Sequence, residues 1–319
     1  MQGKIALEEH FVGPGLEELI SSVGWAADDW ARVHERLLDT DRRLAEMDRL
    51  GIEIAVLSLG AFGVQAVAET DRAVALARRA NDALAERVAE HPTRFAGFAA
   101  LALQDPTAAA DELERCVQEL GFKGALVNGF TTLGDEVLYY DTERFLPFWE
   151  RVVAMGVPFY LHPRNPHPSQ QLAYDGRPEL LGPTWAFAVE TGTHALRLIT
   201  SGLFDRFPSL TVIIGHLGEF LPFALPRLEQ RMSHLPHVRL AKPATSYLRD
   251  NFYVTTSGNS HTASLIANIL ELGADRLLFA SDYPFEEMEH GSVWFDSVPI
   301  AETDRHKIGR LNAKQLLAL

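Results

Sequence analysis

The earliest chemically distinctive residues in the chain are Glu8 and His10, which come directly after a short apolar run at residues 4–7. Because side chains alternate along a β-strand, residues two positions apart point to the same side. A carboxylate oxygen and an imidazole nitrogen on one side of a strand suit a divalent metal ion. Such a pair alone is more typical of a solvated loop, so the prediction depends on how other strands end.

Three later apolar runs end in residues of the same kind, namely His162, His216 and Asp282. One such histidine would more often be a structural residue, whereas several matching strand ends predict a metal centre. The predicted ligands are Glu8, His10, His162 and Asp282. They offer two carboxylates and two neutral imidazoles, which nearly neutralise a divalent ion and leave a position open for water or substrate. This mixed set fits Mn²⁺ or Zn²⁺ better than Mg²⁺ and leaves the choice between those two open.

His216 has a different setting, because it lies in the segment GHLGE at residues 215–219. The flanking glycines allow a sharp bend of the backbone. With Glu219 three residues further on, the imidazole is a candidate acid or base whose orientation a carboxylate would fix. The alternative is that Gly218 and Glu219 begin a helix and that His216 merely ends the strand.

Three residues are candidates for contact with a substrate. Arg227 would hold a substrate anion, although an arginine on a helix is more often a surface charge. Trp25 and Phe285 lie near the predicted mouth of the fold, where an aromatic ring can stack on a planar ligand. Core packing is the alternative for both aromatic residues.

The elements that must position these residues alternate between strands and helices. Apolar runs predict strands at residues 4–7, 52–59, 95–101, 124–127, 158–161, 210–214, 252–255 and 277–280. Helical periodicity is clearest at residues 39–50, 70–90, 106–120, 142–155, 185–201, 265–272 and 301–317. Strands that are apolar throughout indicate a parallel sheet buried on both faces, and eight strand–helix units predict an α/β fold of the (β/α)8 TIM-barrel type. The strand-end residues would then meet at the C-terminal mouth of the barrel.

We expect one domain over residues 1–319, with insertions near residues 11–38 and 163–183 that both follow strand ends. An open doubly wound sheet is the rival architecture. It would carry a glycine-rich phosphate-binding turn after the first strand, and the chain reads EEHFVGPG there instead.

Composition excludes several classes of partner and site. A formal charge of −14 disfavours nucleic acids and anionic membranes as partners. The single cysteine rules out a disulfide framework and a cysteine-based zinc site. We find no segment typical of a signal peptide or a membrane span, so a cytoplasmic location is the default expectation.

Six segments resemble the amidohydrolase superfamily, and specifically its non-hydrolytic decarboxylase branch. They follow one another over nearly the whole chain: GKIALEEH at 3–10, GFKGALVNG at 121–129, VPFYLHPRNP at 157–166, GHLGE at 215–219, TTSGN at 255–259 and SDYPFE at 281–286. The resemblance implies a metal held by the four predicted ligands, with His216 beside it. It also implies that Glu219 and Arg227 support the ligands or contact the substrate.

Two departures from the hydrolytic members of the superfamily are informative. Those members usually begin with a His-X-His pair, whose first histidine is replaced here by Glu8. They often carry a lysine on the fourth strand that bridges two metals, whereas this strand reads GALVN and Lys123 precedes it. Both departures favour a single metal and argue against hydrolysis.

The resemblance therefore implies reversible, non-oxidative decarboxylation of an ortho-hydroxybenzoate, such as 2,6- or 2,3-dihydroxybenzoate, without an organic cofactor. Asp282 would deliver a proton to the ring carbon, assisted by His216 and Glu219, and CO₂ would leave. The family is usually tetrameric, which implies a homotetramer. Two alternatives stay open: a metal-dependent hydrolase of a lactone or amide, and a barrel that binds a phenolic acid without turnover.

Overall fold

The barrel strands of this protein lie parallel to one another and are buried on both faces. The computed structural model describes residues 1–20, 26–236 and 238–319. The barrel strands within these residues are β1 Lys4–Phe11, β2 Ile52–Leu59, β3 Phe95–Gly97, β4 Ala125–Asn128, β5 Phe159–His162, β6 Val212–Ile214, β7 Phe252–Thr255 and β8 Leu277–Leu278.

The strands close into a barrel through two junctions. Pairing runs from β1 to β3 in one sheet and from β4 to β8 in another. A parallel bridge between Ala99 and Ala125 joins the first sheet to the second, and another between Glu9 and Tyr283 joins the last strand segment to the first. The closed order of parallel strands confirms the predicted (β/α)8 barrel.

Amphipathic helices cover the outside of the barrel. Two of them begin at a polar cap: the Asp39 carboxylate accepts from the backbone N–H of Arg42, and the Asp105 carboxylate accepts from that of Thr107. The helices are α1 Ala27–Leu38, α2 Thr40–Leu50, α3 Thr70–Glu90, α4 Pro106–Gln118, α5 Leu146–Met155, α6 Ala186–Thr200, α7 Leu203–Arg206, α8 Leu221–Met232, α9 Ala244–Asn251, α10 Thr262–Leu272, α11 Met288–Ser297, α12 Glu302–His306 and α13 Asn312–Leu317.

The interior of the barrel is filled by apolar side chains from the surrounding strands and from residues that directly follow them, among them Ile5, Leu7, Phe98 and Tyr160. On β1 the regular alternation breaks between Ala6 and Glu9, where the register with β2 shifts. This irregularity lets Glu8 face the interior directly after Leu7. Irregularities of this kind re-aim side chains and are common next to active sites.

The first strand is longer than the sequence predicts. It continues to Phe11, so Glu8 and His10 lie within β1 rather than after it, and the predicted insertion at 11–38 begins inside the strand. Its later part is helical, because Ala27–Leu38 forms α1. The second insertion, at 163–183, contains a series of short 3₁₀ turns.

Other differences concern helices and turns. The predicted helix at 301–317 is divided by a π-helix at Lys307–Leu311, and a short hairpin, Thr131–Leu133 with Glu136–Leu138, follows β4. The sequence also leaves α7, α8, α9 and α11 unpredicted. Among the described residues, none of the helices combines the length and the apolar character that crossing a membrane requires.

Candidate active site

Four side chains meet at the C-terminal mouth of the barrel: Glu8, His10, His162 and Asp282. Each offers one ligand atom, and these atoms all lie within 4.8 Å of one another. The Glu8 Oε1 atom is 3.2 Å from His162 Nε2, and His10 Nε2 is 3.3 Å from Asp282 Oδ1. The structure therefore brings together all four residues of the predicted ligand set.

The carboxylate of Glu8 is held from behind by three hydroxyl groups. Tyr160, Thr255 and Ser257 donate hydrogen bonds to its Oε2 atom. Gly215 leaves the space that this arrangement needs, because a Cβ atom there would lie 2.9 Å from Glu8 Oε2. These contacts fix Oε2 and leave Oε1 turned toward His162 and His216.

The unpaired atoms of the site fit a cation. Glu8 Oε1 and His10 Nε2 are buried and have no hydrogen-bond partner among the described residues, although such atoms are normally paired. The other ring nitrogen of His10 lies 3.3 Å from Ser58 Oγ, which fixes the orientation of the ring. Strand β4 carries no lysine between Ala125 and Asn128 to bridge a second ion. The donors therefore fit one divalent metal ion.

His216 adjoins the cluster and is tied to Glu219. Its Nδ1 atom lies 2.7 Å from the Glu219 carboxylate, while Nε2 lies 3.6 Å from Asp282 Oδ2 and 3.5 Å from Glu8 Oε1. Gly258 allows this approach, because a Cβ there would come within 3.1 Å of both Asp282 and His216. The imidazole thus lies between an orienting carboxylate and the metal ligands.

The backbone around His216 is unusual. Every residue from His216 to Phe220 has a positive φ angle, of which only Gly218 adopts this conformation without steric cost. Such conformations persist where the surrounding structure imposes them, and they cluster at functional sites. This left-handed segment aims both His216 and Glu219 at the same point. It corrects the alternative reading in which Gly218 and Glu219 simply begin a helix, because α8 starts only at Leu221.

The electrostatics of the cluster favour ionised carboxylates. Burial opposes ionisation of Glu8, but the nearby imidazoles of His216 and His162 lower its pKa overall. Burial likewise opposes ionisation of Asp282, whose pKa is nevertheless lowered by His10 and His216. Burial lowers the pKa of His162, which keeps a potential ligand neutral. A site with two ionised carboxylates is suited to a divalent cation.

The pKa of His216 is shifted in the opposite direction to that of His162. Burial lowers its pKa, but the charges of Glu219 and Glu8 outweigh burial and raise the pKa well above the ordinary value. The imidazole next to Asp282 therefore carries a proton when the site is free of other cations.

Glu9 is a buried residue whose role the sequence did not reveal. Its carboxylate accepts hydrogen bonds from the backbone N–H and the hydroxyl of Ser281, at 2.9 and 2.8 Å. Burial raises its pKa to about 7. Because Ser281 precedes Asp282, this contact fixes the ligand-bearing segment after β8 against β1. Only the position of Glu9 next to Glu8 hinted at it.

A chamber of about 130 Å³ opens beside two of the four clustered residues, His162 and Asp282. Its walls are mainly apolar and aromatic and include Phe62, Phe187 and Phe285. The Phe285 ring packs edge-to-face against His10 at 5.3 Å, which places this sequence candidate at the site. A second chamber of about 160 Å³ adjoins the first on the side of His216. A planar aromatic molecule suits such walls.

The other two candidates for substrate contact are Arg227 and Trp25. Arg227 is exposed on α8 and lines neither chamber, so within one chain it does not reach the site. Trp25 lies outside the described residues. Phe187, another aromatic residue near the predicted mouth, lines the chamber, and so does Phe62, which the sequence did not single out.

Comparison with known proteins agrees with this geometry. The amidohydrolase family model matches residues 26–319, and the chain belongs to this family. A gamma-resorcylate decarboxylase from Polaromonas sp. strain JS666 is 54% identical, over 100% of this chain and 99% of the relative.

Solved structures are similarly close. A 2,6-dihydroxybenzoate decarboxylase complexed with 2,6-dihydroxybenzoate matches with a TM-score of 0.97 and 53% identity over the whole of both chains. A dihydroxybenzoic acid decarboxylase from Polaromonas sp. JS666, with bound manganese and the inhibitor 2-nitroresorcinol, matches with a TM-score of 0.97 and 54% identity, over 100% of this chain and 98% of that chain.

Proposed function

We propose that this protein is a metal-dependent decarboxylase that releases CO₂ from 2,6-dihydroxybenzoate without oxidation. The chain is a carboxy-lyase: relatives more than 50% identical over its full length carry that activity in their names. The observation that supports the chemistry best is the placement of Asp282. Its two oxygens face His10 and His216, while the residue also borders the aromatic chamber.

The four clustered residues, Glu8, His10, His162 and Asp282, would hold one Mn²⁺ or Zn²⁺ ion per chain. The manganese in the related structure favours Mn²⁺. When bound, the ion would supply the positive charge that fixes the carboxylate and one ortho hydroxyl of the substrate and stabilises the phenolate.

The residues of this chain would then transfer a single proton to the substrate. Asp282, in its protonated form, gives the proton to the ring carbon that bears the carboxylate, which interrupts the aromaticity of the ring. The bond between that carbon and the carboxylate breaks, its electron pair restores the aromatic ring, and CO₂ leaves. Resorcinol is the aromatic product.

His216 and Glu219 would supply or hold this proton. Without a bound cation, the pKa of Asp282 is lowered and that of His216 is raised, which favours His216 as the holder of this proton. The short contact from His216 Nδ1 to Glu219 leaves Nε2 directed at Asp282 Oδ2. The phenolic proton lost on binding is a second source for Asp282.

The decisive experiment is incubation of the purified holoenzyme with 2,6-dihydroxybenzoate, 2,3-dihydroxybenzoate and 2-hydroxybenzoate, with products separated by chromatography and CO₂ measured. We expect resorcinol and CO₂ in equal amounts from the first substrate, and the reverse carboxylation of resorcinol in concentrated bicarbonate. Absence of CO₂ from every substrate with metal bound would overturn the proposal.

The hydrolase alternative makes a different prediction for the same protein. A hydrolase would open a lactone or amide and release no CO₂. A barrel that only binds phenolic acids would give tight binding without any product. The decarboxylase reading is the better supported, because the relatives reported above are decarboxylases.

We further propose a single catalytic domain, a homotetramer and a cytoplasmic location. The tetramer and the location rest on the family resemblance and on the composition of the chain. Light scattering of the purified protein tests the tetramer, and fractionation of the source cells tests the location.

A further inference from the structure

The two chambers above the ligand cluster contain few polar side chains, and nearly all of them are already committed to a partner. Glu219 holds the His216 ring at 2.7 Å. Asn259 donates to the backbone carbonyl of His216 at 3.2 Å. His162 and Asp282 face the other predicted ligands.

Glu286 is the exception. It lines both chambers and is itself exposed to solvent. Its backbone N–H donates to the carbonyl of Asp282 at 3.0 Å, which fixes the residue beside the ligand cluster. Among the described residues, no side chain or backbone group forms a hydrogen bond or ion pair with its carboxylate. The remaining walls of the first chamber are apolar and include Ala61, Pro163 and Pro183.

A carboxylate at this point recognises one kind of group and rejects another. It accepts hydrogen bonds and, when ionised, donates none. A phenolic hydroxyl therefore suits it, and the hydrogen bond to a charged acceptor is a strong one. A substrate carboxylate placed against it would meet like charge.

We propose that Glu286 is a specificity-determining residue that accepts a hydrogen bond from the ring hydroxyl not held at the metal cluster. It favours a benzoate with two hydroxyl groups over one with a single hydroxyl. It also orients the ring, because the substrate carboxylate is repelled from Glu286 toward the metal cluster. This inference rests on the proposed function for the identity of the substrate, but the recognition of a second hydroxyl can be tested by binding alone.

The test compares ligands that differ by one hydroxyl group. For binding, the manganese-loaded protein is titrated with 2-nitroresorcinol and with 2-nitrophenol, and the dissociation constants are measured by calorimetry. For turnover, kcat/KM is measured for 2,6-dihydroxybenzoate and for 2-hydroxybenzoate. The variants are Glu286→Leu, which removes the acceptor, and Glu286→Gln, which keeps a weaker one. Glu287→Gln is the matched control, because this exposed neighbour pairs with Arg36 on the outside at 2.6 Å.

We expect the parent and Glu287→Gln to prefer the ligand with two hydroxyls. In Glu286→Leu that preference should fall by about 10- to 100-fold, the usual effect of losing a hydrogen bond to a charged group. The ligands with one hydroxyl should keep or improve their affinity, and Glu286→Gln should lie between. If Glu286→Leu does not fold, the intermediate effect of Glu286→Gln decides.

An equal change for both members of each ligand pair would overturn the proposal, because Glu286 would then act through its charge alone or not at all. Failure of the proposed function looks different. In that case the parent protein releases no CO₂ from either benzoate, while the two nitro compounds still report on whether Glu286 recognises the second hydroxyl.

Discussion

His162 and His216 lie close to each other, with ring centroids 6.3 Å apart, yet they contact different groups. His162 faces Glu8 within the ligand cluster. His216 is bound through Nδ1 to Glu219 and reaches the cluster only at 3.5 to 3.6 Å. From this difference between single residues we infer that His162 is a metal ligand and that His216 is an acid or base.

We predict that His162→Ala loses both metal and activity, whereas His216→Ala keeps its metal and loses most turnover. Removing a ligand empties the site, while removing a neighbouring acid or base costs about 10²- to 10⁴-fold in rate. Metal content by elemental analysis and kcat from CO₂ release are the measurements. An empty site in His216→Ala would make His216 a ligand.

In the proposed mechanism, Asp282 both binds the metal and delivers the proton. We predict that Asp282→Asn, which keeps one oxygen for the metal but has no acidic proton, retains appreciable metal and still binds 2-nitroresorcinol. It should lose CO₂ release by far more than about 10²-fold. Carboxylation of resorcinol should fail as well, since one group handles the proton in both directions. Turnover within about tenfold of the parent would point to His216 as the acid.

At the scale of elements, local patterns predict most of the barrel. Alternation of apolar runs and amphipathic segments depends only on neighbouring residues, and it is sufficient to predict the eight strands and the four clustered ligands. The same reasoning misses the hydroxyl groups behind Glu8. Tyr160 and Thr255 come from β5 and β7, and they meet Glu8 only when the barrel closes.

Two further features could not be predicted for physical reasons. The left-handed segment from His216 to Phe220 contains one glycine, so its sequence does not mark the conformation that the fold imposes. In the sequence, Glu9 is only a polar residue next to a predicted ligand. It becomes a buried contact to Ser281 only through the junction between β1 and the segment after β8. Arg227 is the reverse case. The resemblance implied that it supports the ligands or contacts the substrate, but within one chain it does not reach the site.

Helix α6 carries a buried acid that should make stability depend on pH. Burial raises the pKa of Glu190 to about 7, although Arg164 and Arg197 lower it in part. The nearby His194, whose pKa burial lowers to about 3, stays neutral above that pH. Glu190 therefore binds its proton more tightly in the folded than in the unfolded chain, where its pKa is near 4.5.

The stabilising contribution of Glu190 is then complete below pH 4.5 and lost as pH rises through 7. We predict that Glu190→Gln is more stable than the parent above pH 7, by up to on the order of 3 kcal/mol, and that this gain disappears below pH 4.5. Melting temperatures across this range are the measurement, and the exposed Glu150→Gln is the control. A gain that does not vary with pH would contradict the assignment.

At the scale of the whole molecule, the predicted metal ligands connect distant parts of the chain. They come from β1, from the end of β5 and from the segment after β8, while the strands between them are paired edge to edge. Glu8 and Asp282 belong to one cluster whose ligand atoms lie within 4.8 Å of one another, and the charge of Glu8 opposes ionisation of Asp282. We therefore expect a bound cation to offset this repulsion and to stabilise the closed barrel as well as to serve the reaction.

We predict that the purified protein holds close to one divalent transition metal per chain and that a chelator lowers both activity and melting temperature. A ligand at 100 times its dissociation constant stabilises the folded state by about 3 kcal/mol, so the melting temperature should fall by several degrees and recover when Mn²⁺ or Zn²⁺ is restored. His162→Ala provides the control, because a chain that cannot hold the ion should not respond to the chelator. Two ions per chain, or an unchanged melting temperature after verified metal loss, would contradict a single ion that joins the strands. Two ions per chain would make a two-metal hydrolytic site the leading alternative. An unchanged melting temperature would mean that the ion serves the reaction but does not stabilise the fold.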